Sequence, residues 1–197
     1  MSVGATRLAV VGVMGSGSDS HRERATALGQ WLAREGVHLL TGGGSGVMSA
    51  VSEAFCGVPE RRGLVIGVLP GEELANGSSA PAAPRPGYPN PWVEIPIFTH
   101  LPLSGRHGQD PRSRNHINVL SSDVLIALPG GAGTASEVAL ALRYRRPVIA
   151  HLDERGQIDG LPDEAIVASD LAAVQDFVRS HLGERARPSR RAPENPA

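Results

Sequence analysis

The chain has 197 residues, 41% of them hydrophobic, and a formal net charge of −1; this suits one globular domain with a sizeable core, in the usual range of about 100–200 residues. Its 19 basic residues are all arginine and are offset by 20 acids, so no global field draws the protein to nucleic acid or to a membrane surface. With no lysine anywhere, the chain can hold neither a pyridoxal phosphate Schiff base nor a Walker A loop, and lysine decarboxylase chemistry is excluded.

Strand and helix patterns then alternate. Residues 8–14 are apolar and valine-rich, and they pass through Gly15-Ser16-Gly17-Ser18-Asp19-Ser20 into a helical pattern that ends near Glu35. Ala25, Leu28, Leu32 and the flanking Trp31 give that helix one face for a sheet. The Gly/Ser loop reads equally as a helix cap from Ser18 or Ser20 and as a direct nucleotide contact. Residues 37–40 form a second strand, followed by Thr41-Gly42-Gly43-Gly44-Ser45-Gly46 and a helix to about Cys56; triple glycine before a helix lets a ligand approach the backbone closely. Met48 and Cys56 read as core packing, and residues 64–69 make a third strand.

From residue 72 to 91 the period vanishes and five prolines fall between Pro81 and Pro91, so this excursion is either a lid over the site or a disordered insert. Residues 92–98 form a fourth strand, which Pro96 assigns to an edge or an early end. The polar loop 99–113 carries His100, Arg106, His107 and Asp110, but no pair of them has metal-ligand spacing backed by a third ligand. A short helix over 115–121 then presents Arg114 at its start.

Residues 123–137 read Asp-Val-Leu-Ile-Ala-Leu-Pro-Gly-Gly-Ala-Gly-Thr-Ala-Ser-Glu. The unbroken apolar run 124–128 suits a strand covered on both faces in a parallel sheet. Gly130, Gly131 and Gly133 open the backbone of the following turn, and a helix beginning near Thr134 points unpaired N–H groups and its dipole's positive end at an anion, with phosphate the natural guest. Read by itself, Thr134-x-x-Glu137 is equally a capping box. The helix continues to about Tyr144, with Val138, Leu140, Ala141 and Leu142 on an apolar surface. A strand at 147–152 and an amphipathic helix at 171–182 follow, with Leu171, Val174, Phe177 and Val178 on one face.

The segment Pro129-Gly130-Gly131-Ala132-Gly133-Thr134-Ala135-Ser136-Glu137 resembles the Pro-Gly-Gly-x-Gly-Thr-x-x-Glu motif of the Lonely Guy family, the cytokinin-activating phosphoribohydrolases long labelled lysine decarboxylases. Arg114 stands at the matching spacing upstream, and Gly42-Gly43-Gly44 resembles that family's second glycine loop with one residue fewer before the next glycine. The family usually has Arg-Lys where this chain has Arg114-Asn115, a pairing similar to a sister group that includes the molybdenum cofactor carrier proteins. The resemblance spans roughly residues 7–151. It implies Arg114 and Glu137 as a catalytic pair. Phosphate or nucleotide contacts are implied for Gly15, Ser16, Gly43, Gly44, Asn115, Pro129, Gly130, Gly131, Gly133 and Thr134, with no metal or organic cofactor. The implied activity is hydrolysis of the N-glycosidic bond of a nucleoside 5′-monophosphate, with a non-catalytic carrier of a nucleotide or molybdopterin as the alternative.

The expected architecture is one doubly wound, Rossmann-like α/β domain over residues 1–183, a mostly parallel sheet between helices, with a disordered tail at 184–197. Arg114 and Glu137 then both emerge at the carboxyl edge of the sheet, where ligands bind. The apolar surface of the helix after the glycine turn, together with family habit, suggests a homodimer. A single cysteine, Cys56, the lack of a signal-like N-terminus and the absence of any apolar run near ~20 residues suit a cytoplasmic protein.

Overall fold

The computed structural model describes residues 7–74, 79–80 and 87–185. Seven strands form one parallel sheet: β1 (Val10–Met14), β2 (His38–Thr41), β3 (Val65–Leu69), β6 (Ile95–Phe98), β7 (Val124–Ala127), β8 (Val148–His151) and β9 (Ile166–Ala168). Their order across the sheet is β6-β3-β2-β1-β7-β8-β9. A separate two-stranded antiparallel pair, β4 (Glu72–Glu73) and β5 (Ser79–Ala80), lies in the stretch that showed no period. Residues 75–78 and 81–86, on which the choice between lid and insert largely rests, lie outside the described residues.

Five helices cover the two faces: α1 (Arg22–Glu35), α2 (Val47–Cys56), α3 (Asn115–Ser121), α4 (Ala132–Arg143) and α5 (Leu171–Arg185). Leu28 and Leu32 of α1, Val51 and Phe55 of α2, and Val174 and Val178 of α5 pack with Val11, Leu39 and Ile126 into one core layer. Val119 of α3 and Val138, Leu140 and Ala141 of α4 pack with Leu40, Leu125 and Ala150 into the other. The central strands β1 and β7 are buried along their whole length, which is why their sequences are continuous apolar runs. Strand β6 is the opposite case: all four of its residues are exposed, Phe98 by 55%, and Pro96 stands on this edge as its missing N–H requires.

Several boundaries differ from the sequence reading. Strand β9 is unforeseen, because three residues with an exposed Ile166 carry no alternation to detect. Helix α5 crosses the expected boundary at residue 183 and reaches Arg185; the rest of the tail lies outside the described residues. Of the apolar surface of α4, Val138, Leu140 and Ala141 are buried against the chain's own sheet and Leu142 is partly buried. Among the described residues, no helix is long and apolar enough to cross a membrane.

Candidate functional site at the strand-order switch

Strand β1 pairs with β2 on one side and β7 on the other, so the order of connection reverses between β1 and β7. Loops leaving the carboxyl ends of two such strands diverge and open a crevice. A cavity of about 460 Å³ lies there, walled by Gly15–Ser18 after β1, Gly42 and Met48 after β2, Gly131, Gly133 and Thr134 after β7, and Arg114, Asn115 and Glu137. Met14, Tyr88, Ser104 and Gly105 complete the lining. The two residues singled out as a catalytic pair therefore meet in one cavity.

The glycine turn after β7 enters its helix two residues earlier than expected. Gly131 is the cap residue, with extended backbone and no side-chain cap, and α4 starts at Ala132. Thr134 thus lies inside the first turn, and the capping box with Glu137 does not form. The first i→i−4 bond is Ala135 N–H to Gly131 O at 3.1 Å, so the amides of Ala132, Gly133 and Thr134 precede any helical partner and can meet an anion. Gly130 does not join them: its N–H donates to Gln157 O at 3.1 Å. It is glycine for space, since a Cβ there would overlap Thr134 Oγ1 and lie 2.9 Å from Ser16 N. Pro129 contributes its carbonyl, which accepts from Ser16 N–H at 3.0 Å; the residue also lines a second cavity together with His151.

The Gly/Ser loop after β1 caps no helix through a serine. The cap residue of α1 is His21, in the left-handed region at φ 39° and without a side-chain cap bond. Ser16 Oγ instead accepts from the N–H groups of Ser18 at 3.2 Å and Asp19 at 2.9 Å, folding the loop on itself at the cavity mouth. Gly15 is held against Val47, 2.8 Å from where a Cβ would be.

The second glycine turn splits in function. Gly42 lines the cavity. Gly43 and Gly44, named as nucleotide contacts, do not: Gly43 takes φ 73° against Leu69, and Gly44 is covered by the Tyr88 ring. Met48, read as core packing, is buried and also lines the cavity, with Sδ against Gly42. Of the polar loop 99–113, the cavity receives Ser104 and Gly105 rather than His100, Arg106, His107 or Asp110. Among the described residues, no three His, Cys, Asp or Glu are placed to hold a metal.

Arg114 is the cap residue of α3 and 6% exposed. Its Nη1 donates to the carbonyl oxygens of Gly42 and Val68, fixing the guanidinium at the ends of β2 and β3. Glu137, on the second turn of α4, is 9% exposed. Its Oε1 accepts from Asn118 Nδ2 at 2.8 Å. Burial pushes the Glu137 carboxyl up to about 7, against the lowering effects of the Asn118 bond and the Arg114 charge. Desolvation outweighs the Arg114 charge, so the group sits near half-protonation at neutral pH.

Asn118 escaped the sequence reading. It is fully buried, one helical turn beyond Arg114, and its Oδ1 has no partner among the described residues. The i, i+4 spacing from Arg114 places both on one face of α3, which is the signal that identifies it. Asn115, also buried, donates from Nδ2 to Ser136 Oγ at 2.9 Å, and Ser136 Oγ donates to Gly133 O at 2.7 Å. This relay clamps α3 to the first turn of α4.

A parallel sheet that reverses order beside a glycine turn leading into a helix, with a crevice at the switch point, defines a Rossmann-like domain. The chain matches the SLOG cluster4 family over residues 8–174 and belongs to that family. It is similar to the cytokinin riboside 5′-monophosphate phosphoribohydrolase LOG of Oryza sativa subsp. japonica, with 30% identity over 162 residues. The match covers 81% of this chain and 57% of the rice protein. Among solved structures it is similar to the molybdenum cofactor binding protein from Rippkaea orientalis, with 33% identity, a TM-score of 0.65, and 90% of this chain and 99% of that one covered. It is also similar to the Moco carrier protein from Chlamydomonas reinhardtii, with 31% identity, a TM-score of 0.63 and the same coverage.

Proposed function

We propose that the protein hydrolyses the N-glycosidic bond of a nucleoside 5′-monophosphate, releasing free base and ribose 5-phosphate. The observation that carries this reading is Glu137, a buried carboxyl facing the cavity and poised near neutrality, one helical turn beyond open amides. A buried ionisable group in a cleft is unfavourable for the fold and marks a site where chemistry needs it. The phosphate would rest on the amides of Ala132, Gly133 and Thr134 and on the Thr134 hydroxyl, which places the ribose beside Glu137. As the bond to the base breaks, positive charge builds at the anomeric carbon. Ionised Glu137 stabilises that charge or takes a proton from the attacking water, whose oxygen ends on the sugar while a proton ends on the departing base. Arg114, fixed by two carbonyl groups, biases Glu137 toward the ionised form.

A second reading is a carrier that holds a phosphate-bearing pterin or nucleotide without cleaving it. It is favoured by Asn115, which stands where the Lonely Guy pattern has lysine and whose amide is engaged with Ser136, and by the similarity to the two molybdenum cofactor proteins over 99% of their length. A base-release assay over a panel of nucleoside 5′-monophosphates, run beside a molybdopterin binding measurement, separates the two. Base release from at least one nucleotide is expected; a protein that binds molybdopterin and releases no base from any of them is the carrier.

A further inference from the structure

The lining of the cavity has an order. The amides of Ala132 to Thr134 lead to Glu137 one turn on; Glu137 feels the charge of Arg114; the Arg114 guanidinium carbon lies 5.6 Å from the centre of the Tyr88 ring. A nucleoside monophosphate has the same order, with phosphate, ribose and then a flat base. Tyr88 is the aromatic residue in the lining of that cavity.

Tyr88 is not a passing loop residue. Two positions on, buried Asn90 donates from its backbone N–H to Gly43 O at 2.8 Å and from Nδ2 to Gly44 O at 2.9 Å, and its Oδ1 accepts from Trp92 N–H at 3.1 Å. The ring rests on Gly44, where any Cβ would come within 2.6 Å of Cζ and Oη. Glycines 43 and 44, which contribute nothing to the cavity wall themselves, thus seat and anchor the segment that does. Met14 and Met48 add polarizable apolar surface to the same cavity. Aromatic faces bind flat heterocycles with little regard to their hydrogen-bonding edges.

We propose that the Tyr88 ring is the stacking platform for the planar heterocycle of the ligand, so that the 87–90 segment selects aromatic nucleotides over bare sugar phosphates. This rests on the cavity being the ligand site, as in the preceding reading, but not on its being hydrolytic. The test is a calorimetric titration of the full chain with AMP and with ribose 5-phosphate, made in a Glu137→Gln background so that no turnover consumes the AMP. Tyr88→Leu, which keeps bulk on Gly44 but removes the aromatic face, should weaken AMP about tenfold while ribose 5-phosphate changes less than about twofold. Tyr88→Phe should stay within about twofold of Tyr88 for both ligands. Equal loss of both ligands in Tyr88→Leu, no loss of either, or a Tyr88 chain that binds AMP no better than ribose 5-phosphate overturns the proposal. Failure of the hydrolase reading would appear separately, as a chain with this ligand preference whose native Glu137 form releases no base.

Discussion

The two glycine turns at the carboxyl edge of the sheet look alike as letters and differ as structures. Gly42-Gly43-Gly44 after β2 is filled by protein: Leu69 covers Gly43, Tyr88 covers Gly44, and their carbonyl groups are taken by Asn90. The turn after β7 is filled by protein at Gly130, a Cβ at Gly133 would make ordinary contact with Gly105, and nothing lies within 4 Å of a Cβ built at Gly131. Both use glycine for want of room or for backbone freedom, but one lets two pieces of chain meet and the other leaves an open wall. A glycine run therefore predicts close approach, and only the neighbouring atoms say what approaches.

The comparison can be tested from its most functional point outward. Glu137 lies on the helix of the open turn, and Glu137→Gln should lower base release by on the order of 100- to 1000-fold, because the neutral amide keeps the shape and loses the charge; wild-type turnover in this variant would remove Glu137 from the chemistry. Next, alanine at one glycine of each turn should separate stability from binding. Gly43→Ala combines a left-handed backbone with a 2.6 Å approach to Leu69 and should cost roughly 2–3 kcal/mol, lowering Tm by about 5–10 °C. Gly131→Ala has room and an ordinary φ of −104°; its Tm should stay within about 2 °C while AMP affinity falls about tenfold. The reverse pattern, with Gly131→Ala unstable and Gly43→Ala unable to bind, would undo the distinction.

Two smaller effects sharpen the account of Glu137. Removing the Asn118 donor with Asn118→Ala takes away the leading influence that holds the carboxyl down. The pH at which base release reaches half its plateau should rise, with turnover at pH 7 lower by about fivefold and the deficit closing at higher pH. A profile that drops uniformly at every pH would make Asn118 merely structural. The carboxyl also links stability to pH. Its folded value of about 7 lies above the ordinary 4.5, so the folded chain holds this proton more tightly than the unfolded chain. Its contribution to stability falls as pH rises from 4.5 to 7, and above 7 the full cost, on the order of 3 kcal/mol, is in place. Glu137→Gln should therefore melt several degrees above wild type at pH 8 and alongside it at pH 4.5; equal melting at both would show that the buried carboxyl is not strained.

Much of this architecture was legible in the letters because its physics is local. The continuous apolar run of β7 suits a doubly covered strand and is one, and α3 begins and ends where its pattern placed it, with Arg114 at its head. Arg114, Glu137, Gly131, Gly133 and Thr134 were brought to one cavity as the alternation of strand and helix requires. What stayed hidden depends on contacts between distant segments. Asn118 reaches Glu137 only because α3 packs beside α4, and Tyr88 enters the cavity from a stretch with no period at all. The Gly130 amide looked open until Gln157, 27 residues later, returned to take it.

That last bond, with its partner on the other side, has a consequence for how a ligand is met. Pro129 is sutured to Ser16 and Gly130 to Gln157, so the strand end before the open amides is tied down left and right before anything arrives. The conformational entropy of ordering this turn has already been lost during folding, and a phosphate need not lose it again on docking. Recognition here should behave as the filling of a rigid socket, with association limited by encounter rather than by a loop that must first find its shape.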